Sequence, residues 1–317
     1  MGECALKVSD PAPFATAEAP ASVGNVATGF DILGHTLEGP KDRVRVQRIA
    51  EERVRLGSVT GVLHELPADP ARNTALRALD ALRLAWRLPF GFEVDIVKGI
   101  PLGSGMGGSA ASAVAALVAA NALLDSPLRA ADLYPFALEG EAAASGSHHG
   151  DNVGPMLMGG LVLATEDRLI RLPVPKGLTC VLVHPHLVLE TRKAREALAS
   201  PFAISDFVRQ SGGLAQMMVG IFTGNTDSIR AGLKDVLVEP RRAHLIPGFA
   251  SVKAAALAAG ALGSSISGGG PSIFAWLESP ESASAVAAAM QAAFREEGLA
   301  SDLVISPVEG PKAAVIG

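Results

Sequence analysis

Polar and apolar residues alternate over 42–50, with Val44 and Val46 on one side and Arg43 and Arg45 on the other. That period of two predicts a half-buried strand. Residues 53–59 predict its partner, and Phe92, Val94 and Ile96 mark a further strand ending at Lys98-Gly99. Leu76, Leu79, Leu82 and Trp86 recur at helical spacing, so 73–88 predicts a helix. The run from residue 110 to 124 is apolar nearly all round, as an internal helix would be. Ser126-Pro127 predicts another helix start, and Pro135 a kink or a fresh start before Phe136. Residues 159–165 and 178–184 read as strands, and 190–259 as mostly helical. Strand, turn and strand follow over 264–277, then a helix over 281–297 and a last strand over 303–308. Strands and helices mix without strict alternation, which predicts the α+β class. A division near residue 160, into 1–160 and 161–317, is expected.

The chain has 317 residues, 49% hydrophobic and 19% charged, enough apolar material for two cores and far from a disordered composition. A formal charge of −5 gives no reason to expect nucleic acid or an anionic membrane as a partner. Two cysteines, Cys4 and Cys180, cannot build a disulfide framework. The start, MGECALKVSDPAP, lacks the basic region and apolar core of a signal peptide, and the run over 110–124 is shorter than the ~20 residues a membrane span needs. A soluble, cytoplasmic protein is expected.

Chemistry concentrates in PLGSGMGGSAAS, residues 101–112, where four glycines run into a helix. Glycine permits positive φ and close approach of backbone N–H groups, and a helix start adds unpaired N–H groups and the positive end of its dipole. Together they form a seat for phosphate oxygens. Several loops could be meant. Gly103, Gly105 and Gly108 spell a G-x-G-x-x-G, but a dinucleotide site needs a second parallel strand ending in an acidic residue, and another helix comes next. A Walker A loop needs a lysine after the glycines, and none is there. The protein-kinase signatures are missing, and a purely structural glycine turn remains open.

The fit is close to another loop, P-x-x-x-G-x-G-S-S-A-A, through Pro101, Gly105, Gly107, Ser109, Ala110 and Ala111. That loop resembles the signature of the GHMP small-molecule kinases. NVATGFDILG (25–34) is similar to the first motif of that superfamily, and SSISGGGPSIFA (264–275) to its third. GSHHGDNVGPMLMGG, TRKAR and EPRRAHLIPGF resemble segments of the members that phosphorylate L-homoserine. Gly108 departs from the usual serine and Met106 from the usual leucine.

The resemblance implies a two-domain fold, with a left-handed βαβ unit in the N-terminal domain and a ferredoxin-like C-terminal domain. It also implies phosphoryl transfer from ATP with Mg2+, to the side-chain hydroxyl of L-homoserine, a step of threonine biosynthesis. On this reading Pro101, Gly103, Ser104, Gly105, Met106, Gly107, Gly108, Ser109 and Ala110 hold the nucleotide phosphates, and Asn73 contacts adenine. Ser109 and Glu141 hold the metal. Arg195 and Arg242 would take a carboxylate, Asp31 an ammonium, and Asn25 and Asn152 the reacting hydroxyl, with His149 and Thr191 completing the pocket. Asn25, Asp31, Asn152 and Arg195 are the candidate catalytic residues. A homodimer is what the resemblance suggests. Another hydroxylated acid as acceptor, or a non-catalytic nucleotide or amino-acid sensor on the same fold, remains open.

Overall fold

A computed structural model describes residues 13–316; the N-terminal stretch read for a leader, with Cys4, lies outside the described residues. Strands β1 (Phe14–Val23), β2 (Leu33–Ile49), β3 (Val54–Gly61), β4 (Gly91–Lys98), β5 (Leu161–Ala164) and β6 (Leu169–Arg171) belong to one sheet. Strands β7 (Thr179–Pro185), β8 (Gly263–Ile266), β9 (Ile273–Leu277) and β10 (Ser301–Pro307) form a second, in the order β10-β7-β9-β8. The last strand, β11 (Ala314–Ile316), returns to the first sheet beside β1. Among the described residues the sheets thus have seven and four strands.

The first sheet carries a correction. Strand β3 pairs in parallel with β4, Val54 opposite Phe92 and Leu56 opposite Val94, and not with the alternating strand β2. The place beside β2 is taken by β4, with Val44 opposite Ile96. Helix α1 (Thr74–Ala85) makes the crossover from β3 to β4. Alternation fixes which face a strand buries, and says nothing about which strand lies next to it.

Helices α2 (Gly108–Asn121), α3 (Tyr134–Ser145) and α4 (Gly150–Met158) follow. Buried residues surround α2 on every side, alanines foremost, and it packs on β1, β2, α1 and α3. The helix expected from Ser126-Pro127 does not form; a short 3-10 turn over Ala130–Leu133 leads into α3 instead. Pro135 lies in the first turn of α3, where its missing N–H would have had no partner.

The second half adds α5 (Thr191–Glu196), α6 (Ile204–Thr223), α7 (Thr226–Gly232), α8 (Glu239–Arg242), α9 (Phe249–Ala258) and α10 (Ala283–Glu296). The continuous apolar run in β7 is explained by burial on both faces. Cys180 and Leu182 join the core under the first sheet, while Val181 and Val183 join a separate core with Val252, Val286 and Phe294. Strand β9 divides its residues the same way, Phe274 and Trp276 to one side, Ile273 and Ala275 to the other. A polar contact crosses the shared core: Trp276 Nε1 donates to His35 Nε2 at 3.1 Å. Since the indole can only donate, the neutral imidazole carries its hydrogen on Nδ1, 3.0 Å from the Thr36 carbonyl.

Candidate active site

Between β4 and α2 the backbone passes through Gly103, Gly105 and Gly107 at φ of 60°, 76° and 70°. A Cβ on Gly105 would stand 2.5 Å from the Ser267 carbonyl oxygen, so both conformation and space require glycine there. Three of the loop's carbonyls are held by the second half of the chain. Ser267 Oγ donates to Gly105 O at 2.7 Å, Ser272 Oγ to Ser104 O at 2.6 Å, and the Leu189 N–H to Gly103 O at 3.0 Å. Helix α2 starts from Gly107 with no capping side chain, which leaves its first-turn N–H groups to a ligand. Pro101, Gly103, Ser104, Gly105, Gly107, Gly108, Ser109 and Ala110 line part of an open cleft.

Two residues expected in this lining are not part of it. Met106 is 2% exposed, with its side chain in the core; its carbonyl accepts the Ser22 N–H at 3.1 Å and its N–H donates to Ser104 Oγ at 3.3 Å. Asn73 caps α1: its Oδ1 accepts from the N–H groups of Ala75 and Leu76, and its Nδ2 donates to Pro67 O.

Another part of the lining begins at the turn after β1. Asn25, Val26, Ala27 and Asp31 all have positive φ, a cost of about 1–3 kcal/mol each that surrounding contacts must hold in place. They do so from three directions. The Asn25 N–H donates to Asp151 Oδ2 at 2.9 Å, Asn25 Nδ2 to Gly268 O at 2.7 Å, and the Asp31 N–H to Asn25 Oδ1 at 2.9 Å. Asn25 therefore ties together its own turn, helix α4 and the glycine triplet after β8. Asn152, next to Asp151 on α4, accepts from Ser22 Oγ at 2.7 Å.

Asn25, Asp31, Glu141, His149, Asn152, Thr191, Arg195 and Arg242 all line the same cleft as the phosphate loop. Arg195 and Asp31, assigned from sequence to the two ends of a zwitterion, hold each other here. Arg195 Nη1 and Nη2 donate to Asp31 Oδ2 and Oδ1 at 2.8 and 2.7 Å. His149 Nδ1 lies 3.4 Å from Asp31 Oδ2. Arg242 is 2% exposed, and its Nε donates to Ala194 O at 2.9 Å and its Nη1 to Gly268 O at 3.2 Å. The Phe30 ring lies 5.1 Å from Arg195 Cζ and 5.2 Å from Arg242 Cζ, within reach of both cations.

Burial sets the electrostatics. It pushes the Glu141 carboxyl up to about 8, helped by the charge of Asp151. It pushes Asp151 up to about 7, helped by Asp31 and opposed by the Asn25 N–H. Burial brings Arg242 down to about 10, and the nearby Arg195 charge adds to the effect. Burial also works against the charge of Arg195, but hydrogen bonding and attraction to Asp31 override it and raise its pKa.

Sequence reasoning missed two charged residues on this cleft. Asp151 anchors the Asn25 turn, and its only signal was adjacency to Asn152. Lys98, which reads as the plain end of β4, is buried beneath the loop. Its Nζ pairs with Asp42 and donates to Gly108 O at 2.8 Å and Ser112 Oγ at 3.0 Å. Asp42 Oδ1 in turn accepts the N–H groups of Gly99 and Ile100, both at 3.1 Å. A lysine fully inside the core with a carboxylate 56 positions away leaves no periodic trace.

Comparison with known proteins agrees with this geometry. Residues 73–160 match the GHMP kinases N terminal domain and residues 217–296 the GHMP kinases C terminal domain. The chain belongs to the GHMP kinase family. Within that family its similarity is to homoserine kinases. It is 57% identical over 302 residues to the homoserine kinase of Xanthomonas campestris pv. campestris, covering 95% of this chain and 94% of that one. It is 52% identical over 302 residues to the homoserine kinase of Xylella fastidiosa, with the same coverage of 95% and 94%. The crystal structure of homoserine kinase from Cytophaga hutchinsonii superposes with a TM-score of 0.91 at 40% identity, covering 99% of this chain and 100% of that one. The two-domain GHMP kinase fold, mixed α/β with two sheets, follows from these matches. Among the described residues no helix is long and apolar enough to cross a membrane.

Proposed function

We propose that this chain transfers the γ-phosphoryl group of ATP to the side-chain hydroxyl of L-homoserine, giving ADP and O-phospho-L-homoserine. One observation carries the reading. Uncapped amides of α2 and a cluster of groups suited to an amino acid, two guanidiniums and a carboxylate, face one cleft from separate parts of the chain. The names of the similar proteins supply the particular acceptor.

The loop from Gly103 to Ala110 grips the triphosphate through backbone N–H groups, which stabilise charge without reorganising. Arg195 and Arg242 take the acceptor carboxylate and Asp31 its ammonium, with Thr191 and His149 closing the pocket. Asn25 and Asn152 orient the hydroxyl, whose oxygen bonds to the γ-phosphorus as the bond to the bridging oxygen breaks. Both Asp31 oxygens are engaged by Arg195, and Asp151 is held by Asn25, so neither is well placed as a general base. The hydroxyl proton therefore leaves to a phosphate oxygen or to solvent.

Mg2+ fits the residues present. Ser109 and Glu141 line the same cleft and offer only oxygen donors, the set this ion prefers. The acidic Asp151 acts on Glu141 as well, adding to burial in opposing its ionisation, and a divalent cation would relieve that opposition. When bound, the ion supplies charge neutralisation on the phosphates.

The test is ADP release by purified protein with ATP, Mg2+ and a panel of L-homoserine, mevalonate and shikimate. Turnover above background with L-homoserine, and preference for it, is expected. No ADP with any acceptor would favour a sensor, and preference for an acceptor without an α-amino group would replace the substrate.

A further inference from the structure

Two of the three charged groups that the acceptor is proposed to use, Arg195 and Asp31, are not presented separately. Arg195 and Asp31 form a two-pronged ion pair, half-shielded from solvent, with side-chain exposures of 28% and 22%. Around this pair lie two buried polar atoms, Arg195 Nε and His149 Nε2, without a hydrogen-bond partner among the described residues. Buried donors and acceptors of this kind are normally satisfied, so the surroundings of the pair are built for polar groups beyond those of the chain. The guanidinium is also held from a second side by the Phe30 ring, a contact that does not depend on Asp31. The main chain of Asp31 is fixed independently through Asn25 Oδ1. Both partners can therefore separate while keeping other supports.

We propose that Asp31 and Arg195 act as an exchange pair, which a ligand opens only by supplying a carboxylate to Arg195 and an ammonium to Asp31 together. The idea rests on the acceptor reading above and deepens it into a rule of specificity. A zwitterion replaces one ion pair by two, and no charge is left over. A ligand with the carboxylate alone strands Asp31, and one with the ammonium alone strands Arg195. Breaking a shielded pair by satisfying one member leaves an uncompensated charge, which costs far more than the pair itself contributes. A ligand with neither group leaves the pair intact and meets, besides it, only the Arg242 guanidinium already held by the Ala194 and Gly268 carbonyls. Two independent subsites would behave differently, because each missing group would then cost its own share and the losses would multiply.

Four acceptors form the needed cycle on the unmodified protein: L-homoserine, 4-hydroxybutyrate without the amine, 2-amino-1,4-butanediol without the carboxylate, and butane-1,4-diol without both. Their kcat/KM values are compared at saturating ATP and Mg2+. Each single deletion is expected to lower kcat/KM by roughly a hundredfold or more. The diol is expected to exceed the product of the two single losses by at least about tenfold. A diol rate at or below that product, undetectable turnover included, overturns the exchange while leaving homoserine phosphorylation standing. Absence of turnover with L-homoserine itself overturns both. A second measurement uses Asp31→Asn, which removes the charge that 4-hydroxybutyrate strands. The preference for L-homoserine over 4-hydroxybutyrate should collapse by about tenfold or more, whereas an unchanged preference counts against the pair.

Discussion

The hydroxyl of Ser267 donates a 2.7 Å hydrogen bond to the carbonyl oxygen of Gly105, across 162 residues of chain. The contact fastens the phosphate loop, which belongs to the first half of the molecule, onto the glycine triplet that follows β8. It fixes the orientation of that peptide.

Gly105→Ala should therefore be far more damaging than Ser267→Ala. The alanine meets both a positive φ and a carbonyl oxygen at 2.5 Å, so the loop must shift. A loss of at least about a hundredfold in kcat/KM for ATP is expected from Gly105→Ala, since misplacement of about 1 Å costs on that order. Removing one hydrogen bond with Ser267→Ala should cost only about 1 kcal/mol, several-fold in KM for ATP. Steady-state kinetics checks both, and equal effects would dissociate the glycine from loop placement.

Glu141→Gln separates a metal role from a structural one. With its pKa raised to about 8 by burial, the carboxyl is largely protonated in the folded protein near neutrality, and a neutral amide of similar shape replaces it at little cost. The unfolding free energy from urea titration should stay within about 0.5 kcal/mol of the parent value or rise. Turnover should fall by roughly a hundredfold or more, with a higher Mg2+ requirement, if the carboxylate holds the ion. Retained turnover would return Glu141 to a purely packing role.

Lys98 and Asp42 form a buried ion pair whose members are 3% and 0% exposed in their side chains. Lys98→Met leaves the carboxylate buried without its cation and should destabilise by about 3–5 kcal/mol. Combining it with Asp42→Asn should recover part of that loss, because no charge then remains to be compensated. Urea unfolding of both singles and the double provides the check, and additive losses would contradict a coupled pair.

Stability should also report on His35. Burial pushes its imidazole down to about 4 from an ordinary 6.5. The folded chain then binds fewer protons there than the unfolded chain, so the contribution is full above about pH 6.5 and is lost as pH falls toward 4. The shift corresponds to about 3 kcal/mol. Between pH 7.5 and 4.5 the parent protein should lose more stability than His35→Gln, measured by urea unfolding. Parallel losses would mean that the histidine is not the sensitive group.

Much of the fold was legible. The strand of Phe92, Val94 and Ile96, the internal helix after the glycines, and the strand–turn–strand around the glycine triplet all formed where their periodicity put them. The residues assigned to the cleft were largely brought together there, although Asn73 and Met106 were not. What failed was the neighbour of β3, the helix start at Ser126-Pro127, and the buried partner of Lys98.

By itself the sequence determined the local rules, because period, glycine, proline and apolar runs act through a few neighbouring residues. It determined that a glycine loop must meet a helix start, and which residue types were available for an anionic nucleotide and an amino acid. Only the tertiary structure decided that Arg195 and Asp31 hold each other, that Ser267 holds the Gly105 carbonyl, and that Asp151 supports the strained turn at Asn25. Those contacts join residues more than a hundred positions apart. Their energy comes from burial and charge in three dimensions, which no spacing along the chain records.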